Sequence, residues 1–336
     1  KGRPIDAAYA ASRVRNEPLI EIKQLKGTSE TQPLLSLTDE SARFEFMSTL
    51  LGGPPGRFPH IVGSYARQAL KDGIALQDSK GWNPFKFGFG AASDSHNTAV
   101  PYRQDNFFGG HSFMDGTPEV RMSGTVVGGF FDARTESTSG LTGVWADEKT
   151  RAALFEGMQR KETFGVSGPH IQVRMFGGWE YTAAMVAVKD WAATGYAKGV
   201  PMGGDLPPAS GKAPTFMVWA VKDPTSGNLD RIQIVKGWTK SGQSFEKVFD
   251  VVWSGDRNPD TWTGEVPAIQ STVNTETGTY ENSVGSVELK TVWTDFEFDA
   301  SEYALYYARV LEITTPPWTT IQAAALHMPP PDVVAA

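Results

Sequence analysis

The sequence predicts an α/β region followed by a β-rich region. Helix-like and strand-like segments alternate in the first half, a pattern typical of parallel β/α packing. After about residue 200, short alternating strands are separated by turn clusters, which indicates an antiparallel sandwich-like domain. We therefore expect β/α units over 1–178, a linker with turns over 179–214, an antiparallel β domain over 215–320 and a tail over 321–336.

Composition restricts the possible classes of protein. The 336 residues are 40% hydrophobic and 11% aromatic, which is enough apolar material for a sizeable core. The net charge is −7 and no basic run invites nucleic acid. No apolar run approaches the length of a membrane span. The absence of cysteine excludes disulfides, thiolate zinc sites and cysteine nucleophiles. Because the chain starts at Lys1, we expect a fragment or a processed product.

The first elements follow from local periodicity and breakers. Their order of helix, strand, helix and strand predicts parallel packing, with chemistry at the carboxyl ends of the strands. The expected elements are a helix over 5–16 ended by Pro18, a strand over 19–27, a polar loop over 28–31, an irregular stretch with a GGPPG turn at 52–56, a helix capped by Ser64 and a strand over 85–92.

The stretch 85–97, FKFGFGAASDSHN, is the most informative segment. Residues two apart on an extended chain point the same way, so Asp94 and His96 would leave the strand end side by side. A carboxylate beside an imidazole suits zinc, manganese or iron. The same tripeptide is also ordinary turn chemistry, since Asp and Ser both bond nearby backbone.

Further polar residues are expected on the same rim. Lys26 and Glu30 follow the first strand, and the loop over 98–140 brings Arg103, Asp105 and His111. Long ordered loops are often functional, although a surface loop whose polar groups cap one another is an equal alternative.

The later segments carry weaker signals. We expect an N-cap at Asp147 before a helix, a strand from 163, and a strand beginning at His170, whose imidazole is more often structural than a ligand. The Trp and Tyr residues of the β-rich region could form a sugar-binding face, but core and edge packing is the favoured interpretation.

Several blocks resemble one bacterial family in order along most of the chain. They include GFGAASDSHN, DNFFGGH, GVWADEKTRAALFEGMQRKETFGVSGPHIQVRMFGGW, GVPMGGDLP and LDRIQIVKGW. The family is the one known as domain of unknown function 3604. It is similar to the PHP (polymerase and histidinol phosphatase) metallohydrolases, which are distorted β/α barrels with a metal cluster at the C-terminal rim.

The resemblance is closest at the last metal motif of those enzymes. Asp94, Ser95 and His96 match the final Asp-x-His, whereas the early His-x-His motif has no counterpart and His60 does not match it. The resemblance therefore covers the C-terminal half of a family member. It implies that 1–178 form the later β/α units of a PHP-like distorted barrel, and that the missing N-terminal half of the same protein is a partner. Relatives that look exported favour a periplasmic location over a cytoplasmic one.

The resemblance implies a metal-dependent hydrolase that cleaves a phosphoester or another ester or amide bond with activated water. The competing possibilities are a non-catalytic fragment and a glycan-binding β module. The resemblance implies metal ligation by Asp94 and His96. From their expected position on the rim, we predict that Lys26 and Arg103 bind a small anionic substrate and that Glu30, Asp105 and His111 transfer protons or support the metal ligands.

Overall fold

The computed structural model describes residues 4–47, 61–129, 131–208 and 211–332. The predicted GGPPG turn and His60 lie outside the described residues. The N-terminal region contains helices α1 (Ala7–Asn16), α2 (Ala66–Lys80), α3 (Ser112–Asp115), α4 (Pro118–Met122) and α5 (Arg151–Gln159), and strands β1 (Leu19–Glu21), β2 (Lys23–Gln24), β3 (Gly27–Thr28), β4 (Gly88–Gly90), β5 (Val126–Val127), β6 (Phe131–Asp132), β7 (Leu141–Val144) and β8 (Thr163–Val166).

The C-terminal region is richer in long strands. Its elements are strands β9 (Gln172–Gly178), β10 (Gly199–Pro201), β11 (Thr215–Val221), β12 (Leu229–Lys240), β13 (Gln243–Trp253), β14 (Glu288–Thr294) and β15 (Ala304–Glu312), and helices α6 (Ala183–Ala187), α7 (Trp191–Lys198) and α8 (Trp318–Ala325). Among all the described helices, none has the length and apolar character needed to cross a membrane.

Strands β1 and β4 form the predicted parallel pair. Leu19 lies opposite Gly88, Glu21 lies opposite Gly90, and the amide of Ile22 donates to the carbonyl of Gly90 at 2.9 Å. The carboxyl ends of both strands therefore meet at one edge, as the order of elements predicts.

The described strands form no closed barrel, so the later units of a PHP-like barrel that were expected over 1–178 are not confirmed. Apart from β1 with β4, their pairings are antiparallel, including β7 with β8, so they give a mixed α/β fold with no closed barrel. The strand predicted over 19–27 is also interrupted. The chain turns at Leu25 and Lys26, and β3 begins at Gly27, whose φ of +100° favours glycine, so that β3 folds back on β2.

Two predicted helix caps were wrong. Helix α2 has Tyr65 at its N-cap instead of Ser64. Helix α5 starts after Thr150, whose hydroxyl accepts from the amide of Ala153 at 3.3 Å, and Asp147 lies outside the helix. In both cases a capping side chain occurs near the start, and tertiary packing shifts the boundary by a few residues.

The β-rich region consists of two antiparallel sheets around one core, as its alternating runs predict. The sheet orders are β10-β9-β11-β14 and β13-β12-β15. Apolar residues of both sheets form the core, among them the fully buried Val218, Leu229, Ile232 and Ile234. Strand β9, assigned by sequence to the first region, completes the first sheet through seven paired positions with β11.

Segments expected to be irregular contribute to the packing. Helices α6 and α7 lie within the predicted linker, and Val186 of α6 packs in a cluster with Phe176 and Met217. Helix α8 extends into the predicted tail, and its Trp318 is 1% exposed. These residues bury apolar surface, which explains why they are ordered.

Candidate metal centre

Backbone hydrogen bonds join the loop after β4 to the start of α3. The amide of His96 donates to the carbonyl of Gly110 at 2.8 Å. Asn97 closes the connection from both sides: its side-chain amide donates to the carbonyl of Gly109, and its side-chain oxygen accepts from the amide of Ser112, each at 2.9 Å. This arrangement brings residues 94–97 against residues 109–112 at the edge where β1 and β4 end.

Lys26 and Asp94 form an ion pair at this rim. The Lys26 side chain is 7% exposed, whereas that of Asp94 is 44% exposed and therefore accessible from solvent. Asp94 has φ of +48°, a left-handed conformation that Asp tolerates better than most residues. Burial raises the pKa of Glu21 at the end of β1, and Asp94 adds to that rise.

His96 stacks on His111. The ring centroids are 4.2 Å apart and the planes are inclined by 21°. His96 is exposed and His111 is buried, so the first ring covers the second. Burial lowers the pKa of His111, and the neighbouring His96 lowers it further, so His111 is favoured as the neutral imidazole that metals bind.

Two buried carboxylates lie beneath His111. One ligand atom from each of His111, Asp115 and Glu136 lies within 4.8 Å of the other two, and His111 Nδ1 is 3.7 Å from Glu136 Oε1. These residues are 7%, 0% and 3% exposed. Among the described residues, His111 Nδ1 and both carboxylate oxygens of Glu136 have no hydrogen-bond partner. Such orphaned buried groups are uncommon and call for a missing ligand or a bound proton.

The electrostatics of Glu136 show how poorly its charge is compensated. Burial raises its pKa from 4.5 to about 8, and Asp115 contributes to the increase, while Lys26 opposes it. One neutral imidazole and two carboxylates form a donor set suited to a divalent transition metal. The residues His111, Asp115 and Glu136 therefore fit a divalent metal, at a place next to the predicted ligands Asp94 and His96.

Buried side chains of Trp318 and Arg121 contact the backbone of the residues that carry these carboxylates. Trp318 stacks on Phe107 with centroids 4.4 Å apart, and its indole N–H donates to the backbone carbonyl of Glu136 at 2.8 Å. Arg121 is 2% exposed and donates to the carbonyls of Asp115 and Phe107 at 2.7 and 3.0 Å.

Glu30 lies in a different buried network. Its carboxylate pairs with Arg67 at 2.5 Å, accepts from the hydroxyl of Tyr307 at 2.5 Å, and is 3.6 Å from Arg309. Burial opposes ionisation, but Arg309 and Arg67 together lower the pKa of Glu30. In this environment the carboxylate connects α2 with β15.

Arg103 and Asp105 pair with each other rather than with the rim. The guanidinium makes two hydrogen bonds to the carboxylate, at 2.8 and 2.5 Å, and both side chains are substantially exposed. His170 lies in the same neighbourhood, where its ring stacks on Tyr102 with centroids 5.1 Å apart. The structure thus brings together Lys26, Asp94, His96 and His111, and places Glu30, Arg103 and Asp105 in other contacts.

Sequence reasoning missed Asp115 and Glu136. Asp115 follows His111 by four residues, a spacing that places both side chains on one side of a helical turn, so a signal for it existed. Glu136 lies in an extended segment that joins the site only through tertiary contacts, such as the 2.8 Å hydrogen bond from the amide of Ser137 to the carbonyl of Leu25.

The fold and this cluster define a mixed α/β protein with a candidate metal centre. The chain matches, over residues 1–336, the family described as "Protein of unknown function (DUF3604)", and it belongs to that family. No curated protein and no solved structure matches it.

Proposed function

We propose that the protein is a metal-dependent hydrolase that acts on a phosphoester or another ester or amide bond. The observation that carries the proposal is the stacking of His96 on His111 next to two buried carboxylates, at the rim where Asp94 pairs with Lys26. When bound, a divalent metal supplies Lewis acidity and makes water nucleophilic at neutral pH. Zinc, manganese and iron all suit this mixture of nitrogen and oxygen donors.

The exposed side of the centre is where a substrate would enter. Asp94 and His96 are exposed there and would hold a metal at the rim. Lys26 supplies the positive charge that would favour a small anionic substrate, although Asp94 partly neutralises it.

The PHP-like character of the enzyme is part of this proposal. Asp94 and His96 would correspond to the last metal motif of such enzymes. Support comes from the parallel pair of β1 and β4, whose carboxyl ends place Asp94 and His96 at the edge of a sheet, as in that class.

A hydrolysis assay tests the proposal. The purified protein is treated with chelator, reloaded with Mn²⁺ or Zn²⁺, and assayed with p-nitrophenyl phosphate, bis(p-nitrophenyl) phosphate and p-nitrophenyl acetate. We expect metal-dependent turnover that His96→Ala lowers by at least about 100-fold. Trp262→Ala, which changes a 94% exposed side chain in the β13–β14 connection, is the control and should retain activity.

A chelated protein that remains as active as the reloaded one, or a His96→Ala variant with full activity, would refute the proposal.

The glycan-binding alternative is less well supported. Trp293 and Tyr306 of the β-rich region both pack on Phe216, with centroid distances of 5.9 and 4.4 Å, as core packing requires.

A further inference from the structure

We infer that His111, Asp115 and Glu136 form a divalent-cation site of their own, on the buried side of the His96 ring. His111 is the N-cap of α3 and Asp115 is its last residue, so one short helix presents two of the three ligands. Glu136 completes the set from the extended segment after β6. The catalytic role of a metal at this site rests on the proposed function. Metal binding itself can be measured without any assay of activity.

The hydrogen bonds of the cluster leave its donor atoms available. The two oxygens of Asp115 accept from the amides of Gly110 and His111 at 2.9 and 2.8 Å. These bonds fix the orientation of the carboxylate, and each oxygen keeps a second acceptor direction. Among the described residues, His111 Nδ1 and both carboxylate oxygens of Glu136 make no hydrogen bond of normal geometry, and the groups that act on the Glu136 carboxylate include Asp115 and the amide of Gly110.

Neighbouring protein cations do not occupy the place of a metal. The hydrogen bonds found for the Arg121 guanidinium go to the carbonyls of Asp115 and Phe107 and to the side-chain oxygen of Gln322. The Lys26 ammonium pairs with Asp94. A protonated Glu136 that shares its proton with Asp115 is the competing explanation, because like carboxylates in a buried site disfavour double ionisation.

Two glycines let the carboxylates approach the backbone. A Cβ atom at Gly110 would meet Glu136 Oε1 at 3.0 Å, and one at Gly109 would meet the carboxyl carbon of Asp115 at 2.6 Å. Gly109 also has φ of +83°, a conformation that favours glycine. The loop is therefore shaped around these two carboxylates.

The donor set selects the class of metal. An imidazole nitrogen with two carboxylates suits Zn²⁺, Mn²⁺ or Fe²⁺, whereas Ca²⁺ prefers six to eight oxygen ligands. Three protein ligands leave a coordination position open for water or substrate. The exposed ring of His96 stacks on the buried ring of His111, so the His96 ring lies between this site and solvent.

The test is stoichiometric metal binding. Chelated protein is titrated with Zn²⁺ or Mn²⁺ by calorimetry, and bound metal is counted by mass spectrometry after desalting. We expect Glu136→Gln to weaken binding at this site by at least about 100-fold, because even changes outside the ligand shell cost 10- to 100-fold. Glu276→Gln, which changes an exposed carboxylate in the β13–β14 connection, is the matched control and should bind as the unaltered protein does.

The variants also separate this inference from the hydrolase. If Asp94→Asn loses its metal and Glu136→Gln retains it, the metal lies at the rim and the buried site is refuted, while the proposed function stands. If Glu136→Gln alone loses the metal and hydrolysis is absent throughout, the site stands and the hydrolase does not. X-ray absorption spectroscopy of the unaltered, zinc-loaded protein provides a test that does not depend on the folding of the variants. If the spectrum shows no imidazole among the zinc ligands, the inference is overturned.

Discussion

Replacing Arg67 by Met should destabilise the protein strongly, because Arg67 is the centre of the buried network that contains Glu30. Its guanidinium side chain is 1% exposed. It contacts Glu30 at 2.5 Å, Asp39 at 2.8 Å and Glu246 at 3.1 Å. Methionine would fill much of the volume but leave three carboxylates without their shared partner.

The magnitude follows from the charges left behind. Breaking a buried ion pair by removing one partner typically costs about 3–5 kcal/mol. Asp39 gives a joint value for Arg309 and Arg67: although burial alone would raise its pKa, Arg309 and, to a smaller extent, Arg67 lower it from 3.8 to about 2. That change corresponds to about 2 kcal/mol at neutral pH for one carboxylate of the three. We therefore expect Arg67→Met to lower the free energy of unfolding by about 3–5 kcal/mol.

Urea denaturation at pH 7, followed by circular dichroism, measures this loss. Arg103→Met is the matched control, because Arg103 pairs with Asp105 but is 42% exposed, and exposed pairs contribute about 0.2–1 kcal/mol. A double-mutant cycle with Glu30→Gln should give a coupling energy above about 1 kcal/mol. If Arg67→Met and Arg103→Met lower the free energy of unfolding equally, the reasoning is refuted. Glu30 would then have no demonstrated structural role in the Arg67 network and would again be a candidate functional residue.

Three further predictions concern the same regions. Trp318→Ala should lower the free energy of unfolding by about 3–5 kcal/mol in urea denaturation, because it empties a buried site against Phe107; a loss below about 1 kcal/mol would contradict the packing. Because the pKa of Asp39 is lowered in the folded protein, its ionised carboxylate adds stability above about pH 4, and this stability is lost as the pH falls through about 2. In Asp39→Asn, the free energy of unfolding should therefore fall by about 2 kcal/mol less over this pH range than in the unaltered protein. An unchanged pH dependence would argue against this role of Asp39. Asp105→Asn should leave metal content unchanged and cost less than about 1 kcal/mol, since only the exposed pair with Arg103 is lost; loss of metal would show that Asp105 belongs to the centre.

The rim was predictable from local pattern. Two strands separated by a helix pair in parallel, so residues after both strands meet at one edge, and Lys26 and Asp94 do form an ion pair there. Glu30 follows the same strand but points elsewhere. The β2–β3 hairpin reverses the chain at Leu25 and Lys26, and Glu30 then lies beside Arg67 of α2.

The buried half of the centre depends on contacts that sequence pattern does not encode. Asp115 was accessible from its spacing to His111, whereas Glu136 reaches the site through Trp318, which is 182 residues further along the chain. The expected part of a PHP-like barrel is not confirmed, for a related reason. Strand periodicity does not specify partner direction, and the segments over 141–144 and 163–166 pair antiparallel.

Anomalous diffraction from crystals of the chelated and zinc-reloaded protein would test the central claim most directly. We predict a zinc peak about 2.0–2.2 Å from a ring nitrogen of His111 and from a carboxylate oxygen of Glu136 or Asp115. A second peak beside Asp94 and His96 would add the rim site to the buried one. Crystals reloaded with zinc that show no anomalous peak at either place would contradict the proposal that this protein has a metal centre.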